Sequence, residues 1–524
     1  MSIFKSWVAP SVGKCLLFAL LIPNMMMFFL PVANEEVAAG YWGIETNDVQ
    51  FTIILYYVGF ASFYSLERRF FAYFASKQYF ILFQTLQLLC CWILFSTQFL
   101  PMIFAVRFFQ GMLFASAVNL YMSLVAKMMK TFRAKEMTYS LFFGMLLCTS
   151  GINSLVTADI IDHYNFNVLF KWAMSLYGLS LLVVLVFVKA DVEQKPLPLI
   201  KLDVASFVYL AVALVCIGYL VVYGQQYYWW QSVHIRMLFV LGLGSILLFI
   251  LRQFRRKRPY IHLGIFKYKQ YVWGLLVLFF MYLARFSMAY SGTFYKQVLG
   301  MDPRHISYMY AANVVGIVLG VALSALALIK KTNTALMWLA GYMCLFTYHL
   351  LMFKFAFYAG NEQYYILAMT LHGMGVGMVM VPVILFCISA VPYYLAPSAA
   401  AFCLIIRYSG YAASTALTKY FTVYYYQYHY SQFIAYITGN NQFYQAKVDA
   451  IGQMLKDRGM DAPLLSAASQ KVLRQRLDNQ ILLRSIMDYY NLMMGMEVLM
   501  MMAIVMYWLY NSKYTLRFRA IVPI

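Results

Sequence analysis

The stretch Pro101–Lys130, PMIFAVRFFQGMLFASAVNLYMSLVAKMMK, decides the fold. It is apolar and long enough to cross a bilayer as a helix, which takes about twenty residues. Yet Arg107, Gln110 and Gly111 stand inside the apolar run. Their i, i+3, i+4 spacing puts all three on one helix face. Gly111 and Ala115 continue that face as a small-xxx-small pair, suited to close helix packing in lipid. Pro101 fits the first turn, and Lys127 and Lys130 fit a cytoplasmic exit. Arg107 lies about 9 Å beyond Pro101 along such a helix, where an arginine costs roughly 2.5–3.5 kcal/mol on insertion scales. The plain reading is an arginine snorkelling to the headgroups; the functional one is an arginine facing a polar cavity.

Working outward, composition gives the class. Of 524 residues, 63% are hydrophobic and only 11% charged, and mean hydropathy is +0.70. A soluble domain carries about 25% charged residues, so this is an integral membrane protein. The net charge of +21 does not imply nucleic acid. Basic residues sit in short connections between apolar runs, the positive-inside pattern, and form no separate arm or domain. The eight cysteines all fall in apolar segments without metal-ligand spacing to histidine, so packing roles and no disulfides are expected. The first run, Cys15 to Val32, lacks a small-residue cleavage site and reads as a retained helix. No phosphate loop, paired-carboxylate motif or His-x-x-x-His pair occurs, and GMGVG at 373–377 lies inside a span, where helix packing explains it. No enzyme and no cofactor are expected.

Apolar windows predict fourteen helices, near 13–33, 50–66, 79–97, 101–127, 137–160, 167–189, 203–223, 234–252, 271–292, 305–329, 333–356, 363–390, 396–424 and 488–511. With fourteen, every basic cluster lands on one side: Arg68, Arg69 and Lys77; Lys127 to Lys135; Arg252 to Lys269; Lys330 and Lys331; Lys513 to Arg519. Glu35, Glu36, Glu45, Asp48, Asp159 and Asp162 fall on the other. Both termini are then cytoplasmic. The basic turns after helices two and ten hint at parallel six-helix repeats with helices seven and eight as an insert. This divides the chain into an N-terminal bundle (1–195), a two-helix insert (196–258) and a C-terminal bundle (259–524). A long polar loop at about 425–487 is placed outside, opening on the tyrosine-rich YYYQYHY, an interfacial aromatic belt.

RFFQGMLFASA resembles the fourth-helix motif of the major facilitator superfamily. HGMGVGMVMVPVILFCISAVPYYLAPSAAAFCLIIRYSGYAASTAL, His372 to Leu417, is similar to the glycine-rich twelfth helix, Pro-bearing turn and Arg-x-x-Gly of the fourteen-helix drug:proton antiporters, the EmrB-like group. Arg407 and Gly410 occupy the Arg-x-x-Gly positions, and QILLRSIMDYYNLMMG resembles that group's start of the last helix. Two features depart from the pattern. The turn SLERRFFAYFASK lacks the glycine framework, and LFFGMLLCTSGINSLVTADI keeps Gly144 and Gly151 without the proline.

The resemblance implies an all-α facilitator fold, two six-helix bundles plus the insert, in an inner (cytoplasmic) membrane. It implies a proton-coupled exporter of small amphipathic compounds working by alternating access, in contact with lipid, with a periplasmic adaptor and an outer-membrane channel as partners. Arg107, Gln110, Glu497 and Asp159 are the proton-coupling candidates. Asn24, Arg285, Asn313, His372 and Arg407 are the substrate-cavity candidates, and Glu67, Arg68 and Arg69 the gating-loop candidates. Cavity arginines would favour anionic or neutral substrates over cations. A lipid-linked polysaccharide flippase, or a facilitator carrying an anionic metabolite without antiport, are the alternatives.

Overall fold

A computed structural model describes residues 4–30, 35–73, 76–128, 133–189, 202–356, 360–437 and 441–511. The first half holds α1 (Pro10–Phe29), α2 (Glu35–Trp42), α3 (Thr46–Tyr73), α4 (Ser76–Ser96), α5 (Leu100–Met128), α6 (Ala134–His163) and α7 (Val168–Phe187). A hairpin of α8 (Val204–Tyr223) and α9 (Val233–Arg255) follows. The second half holds α10 (Lys269–Phe286), α11 (Met288–Thr293), α12 (Pro303–Ile329), α13 (Thr334–Lys354), α14 (Gln363–Ser389) and α15 (Ala396–Tyr420). It closes with α16 (Tyr426–Ile434), α17 (Gln442–Asp457) and α18 (Ala462–Asn511).

Among the described residues thirteen helices are long and apolar enough to cross a membrane. The helix expected at 396–424, α15, is not among them, being diluted by Arg407, Lys419 and a run of Ser, Thr and Tyr. It packs against α10, α3 and α8, and Arg407, Tyr408 and Ser414 are buried there. Each window expected from hydropathy holds a helix, most with ends shifted by a few residues. The last differs most, because α18 starts at Ala462 and runs for 50 residues, about 75 Å. The polar segment before it is therefore helical, with α16 and α17 folded back along α18. Tyr426 donates to Asp478 (2.7 Å), and the His429 ring meets Asp488 (2.8 Å). No breaker follows Tyr420, so α15 runs through a π-turn straight into α16.

Two helix crossings set the frame. A Cβ on Gly111 of α5 would lie 2.0 Å from the Tyr56 carbonyl oxygen of α3, and one on Gly59 2.1 Å from that of Phe108. The second half repeats this between α12 and α14: Gly316 would meet the Thr370 carbonyl at 2.0 Å, and Gly373 that of Asn313 at 2.1 Å. Second and fourth crossing helices are thus joined backbone to backbone in each half, which only glycine permits. The faint repeat in the basic turns has its structural counterpart here.

Between the halves, α6 runs along α12 and α3 along α15. Gly144 and Gly151 of α6 face Val321 and Val314 of α12, so both lie at the seam. The hairpin leans α8 on α3 and α15. Its own ends are held by Arg252 on Asp203 at 2.7 Å.

Crowding at Gly111 predicts that Gly111→Ala costs more than about 3 kcal/mol of stability. Gly178→Ala, whose added Cβ meets nothing within 4 Å, costs about none. Folded yield and thermal unfolding in detergent check the contrast.

Candidate functional site

Arg107 does not snorkel; it is fully buried. The last carbonyls of a helix have no partner within it, and α1 ends in the protein interior. Arg107 Nη1 donates to the Met27 carbonyl (3.1 Å) and to Gln110 Oε1 (3.0 Å), and Nη2 to the Phe28 carbonyl (3.3 Å). Asn153 donates to Met26 (2.8 Å), and the Tyr56 ring covers the guanidinium at 4.6 Å. A cation at a helix C-terminus is electrostatically favourable. Arg107 and Gln110 therefore hold the end of α1 in place. Asn24 belongs to the same cap: its backbone carbonyl accepts from Tyr56 and its Oδ1 from Tyr177.

Beyond this cap a cavity of about 180 Å³ opens between the halves. Phe29, Glu35, Gln50 and Ser154 line it from the first half, and Arg285, Asn313, His372, Tyr411 and Lys419 from the second. Of the expected cavity residues, Arg285, Asn313 and His372 meet here. Asn313 donates to His372 Nδ1 (2.9 Å), while His372 Nε2 faces the Ala284 carbonyl (3.4 Å); this pattern assigns the proton to Nε2. Arg407 lines a second, smaller cavity of about 40 Å³ with Tyr64, Phe143 and Cys403. Asn24 lines neither.

Glu35, Gln50 and Lys419 form the rim of the larger cavity. Gln50 donates to Glu35 (3.0 Å). Lys419 donates to Asn47 and to the Val222 carbonyl (2.8 Å). Burial pushes the Glu35 carboxyl up from 4.5 to about 7, against the pull of the Gln50 hydrogen bond and the Lys419 charge. Close by, Lys296 pairs with Glu36 across the halves. That pair is exposed and worth about 0–1 kcal/mol, a weak clasp compatible with opening. At the other end Arg133 reaches the Leu328 carbonyl (3.1 Å).

Glu497 sits fully buried on α18, with His349 Nδ1 at 2.9 Å from its Oε1. His349 Nε2 meets Ser287 Oγ (2.9 Å), and Ser287 donates to the Ala284 carbonyl (2.7 Å). Ser287 must then accept from Nε2–H, and Nδ1 faces the carboxylate. Nδ1 also faces the Leu345 carbonyl at 3.1 Å, so the carboxyl and the imidazole lie side by side in the interior. Ala284 leads on to His372 and the cavity. Glu67 is also buried, with Tyr79 donating at 2.8 Å and Asn119 donating to its other oxygen. The side chains of Asp159, Arg68 and Arg69 lie outside the described residues.

The sequence profile of the Major Facilitator Superfamily matches residues 15–415. The chain belongs to the major facilitator superfamily. Solved structures with the same fold include a POT family transporter in complex with a thioalcohol-conjugated peptide, at TM-score 0.58 and 13% identity over 96% of this chain and 97% of that one. Another, in complex with 5-aminolevulinic acid, has TM-score 0.56 and 14% identity over 80% and 92%. A peptide transporter POT bound to sulfate has TM-score 0.55 and 14% identity over 77% and 88%. At such identity the likeness concerns fold. No curated protein sequence matches the chain.

In this facilitator, sequence reasoning missed His349, Tyr282, Glu35 and Lys419. Glu35 was visible only as an outside charge, and His349 as one of seven scattered histidines. Because native Glu35 keeps its proton to about pH 7 and an unfolded chain releases it near 4.5, the native state binds more protons between those values. Stability should fall as pH rises from about 4.5 to 7 and level off above. Glu35→Gln should remove that part of the slope in a pH series of thermal unfolding.

Proposed function

We propose that this facilitator is a secondary active transporter that exports small amphipathic compounds in exchange for protons by alternating access. Residues 1–195 and 259–524 are the two moving bundles, and 196–258 the insert. The observation that carries the reading is a buried Glu497–His349 pair, 2.9 Å apart, linked through Ser287 and Ala284 to a cavity that both halves line. Such a pair can load and release a proton as the bundles rock about the cavity. Arg107 and Gln110 serve at one remove, by fixing the end of α1 against which the cavity is built. Lys296 on Glu36 and Arg133 on Leu328 are contacts that must break in turn as each end opens.

The fourteen-helix drug:proton antiporters are the group this reading favours, on the motifs around Arg107 and His372–Leu417. The membrane is an inner membrane with both termini cytoplasmic, from the side on which the basic clusters fall. The polar half of α18, packed by α16 and α17, then projects outside, where it suits a periplasmic adaptor leading to an outer-membrane channel.

Proteoliposomes supplied externally with ethidium or naphthalene-1-sulfonate test the mechanism. An imposed proton gradient should drive accumulation of at least one probe, and a protonophore should abolish it. Glu497→Gln should lower gradient-driven accumulation about tenfold while sparing exchange without a gradient. Accumulation indifferent to the protonophore would sink the proton-driven reading.

A further inference from the structure

The two cavities are stacked along the helix axes. The same helices line both at different heights: α6 by Leu147 to Ser154 above and Tyr139 to Phe143 below, and α14 by His372 and Val376 above and Ile384 and Ile388 below. On α15 the sequence is Tyr411 to Lys419 above, Arg407 below. Between them stands Tyr282 of α10, 1% exposed. Its hydroxyl oxygen accepts from Arg285 Nη1 (3.3 Å), which lines the upper cavity, and from Arg407 Nε (2.7 Å), which lines the lower.

Both guanidiniums are more than nine-tenths buried, and among the described residues neither forms an ion pair with a carboxylate. Aromatic rings and one phenol are their company. Arg285 Cζ lies 5.0 Å from the Phe286 ring and 5.9 Å from Phe29, and Arg407 Cζ 5.3 Å from Phe143. Five donors on each guanidinium exceed what one phenol oxygen can accept. The carboxylate lining the upper cavity, Glu35, is at the rim, engaged by Gln50. A buried cation without an anion is an unmet demand, and here it faces open space.

We propose that Arg285 and Arg407 are two stations of one anion site, and that the cargo carries an anionic head group (sulfonate, carboxylate or phosphate) on an aromatic or apolar body. This rests on the transport reading above and names its cargo. The head group docks on Arg285 from the upper cavity, and on Arg407 from the lower once the bundles have rocked. Tyr282 gives up one guanidinium or the other as it does so. Phe29 and Phe143 come from the first half and both arginines from the second, so each station lies at the seam and feels the rocking directly.

The test is equilibrium dialysis of radiolabelled naphthalene-1-sulfonate, naphthalene-1-sulfonamide and tetraphenylphosphonium against the full chain in nanodiscs, without a gradient. The sulfonate should bind saturably and at least about tenfold more tightly than the neutral amide or the cation. Arg285→Gln should lose that margin and Arg285→Lys recover part of it. Amide or cation binding as tight as the sulfonate would overturn the proposal, as would Arg285→Gln binding within about twofold of wild type. The selectivity series on the unaltered chain keeps the test decisive if Arg285→Gln does not fold. Selective sulfonate binding without gradient-driven uptake would refute the transport reading and leave the anion site standing. Gradient-driven uptake of tetraphenylphosphonium but not sulfonate would do the reverse.

Discussion

Three arginines lie inside this bundle with no carboxylate paired to them among the described residues, and the architecture is shaped by how each is met. A buried guanidinium left alone costs several kcal/mol. Arg107 is met by backbone: the carbonyls of Met27 and Phe28 at the end of α1, with Gln110 alongside and Tyr56 over its face. That fixes α1 against α5, and α5 is joined to α3 through Gly59 and Gly111. Arg285 and Arg407 are met only in part, by the oxygen of Tyr282 and by rings. The first arrangement ties both terminal nitrogens to backbone or Gln110 and leaves only Nε without a partner, enclosed and away from the cavity. The second keeps donors to spare beside open space, which is where a binding site belongs.

The same contrast runs through the contacts between the halves. Within each half, glycine crossings bring backbones together and leave no room for sliding. Between halves, an exposed ion pair at one end and a guanidinium on a carbonyl at the other are individually weak. The halves also pack along α6–α12 and α3–α15, so rocking about a central cavity would slide these helix faces and break the weak terminal contacts. The Glu497–His349 pair sits within the second half, on α18 and α13, and reaches the cavity by way of α10. His349 touches Ser287, two residues from Arg285.

The positions and order of the helices were legible in the sequence because twenty-residue apolar windows are local signals, although α15 is too polar to count among the thirteen apolar spans. So was the face of Pro101–Lys130: Arg107 does meet Gln110, and Gly111 does make a close crossing. What Arg107 faces was not legible, since its carbonyl partners lie 79 and 80 residues away. Tyr282 is one tyrosine among 45 and owes its place to Arg407, 125 residues on. His349 has no local signature at all, and its role appears only when α18 returns Glu497 to α13. Where the polar loop was expected, helix-compatible residues form α16, α17 and the first part of α18, with a turn at Gly459 between the last two.

The central claim is that two rigid halves rock about the cavity between them. Double electron–electron resonance between spin labels at Val37 and Gln297, exposed residues flanking the Glu36–Lys296 pair on opposite halves, measures this directly. The account predicts at least two distances whose populations shift when naphthalene-1-sulfonate is added or the pH is lowered. A single distance, unchanged under both conditions, would contradict it.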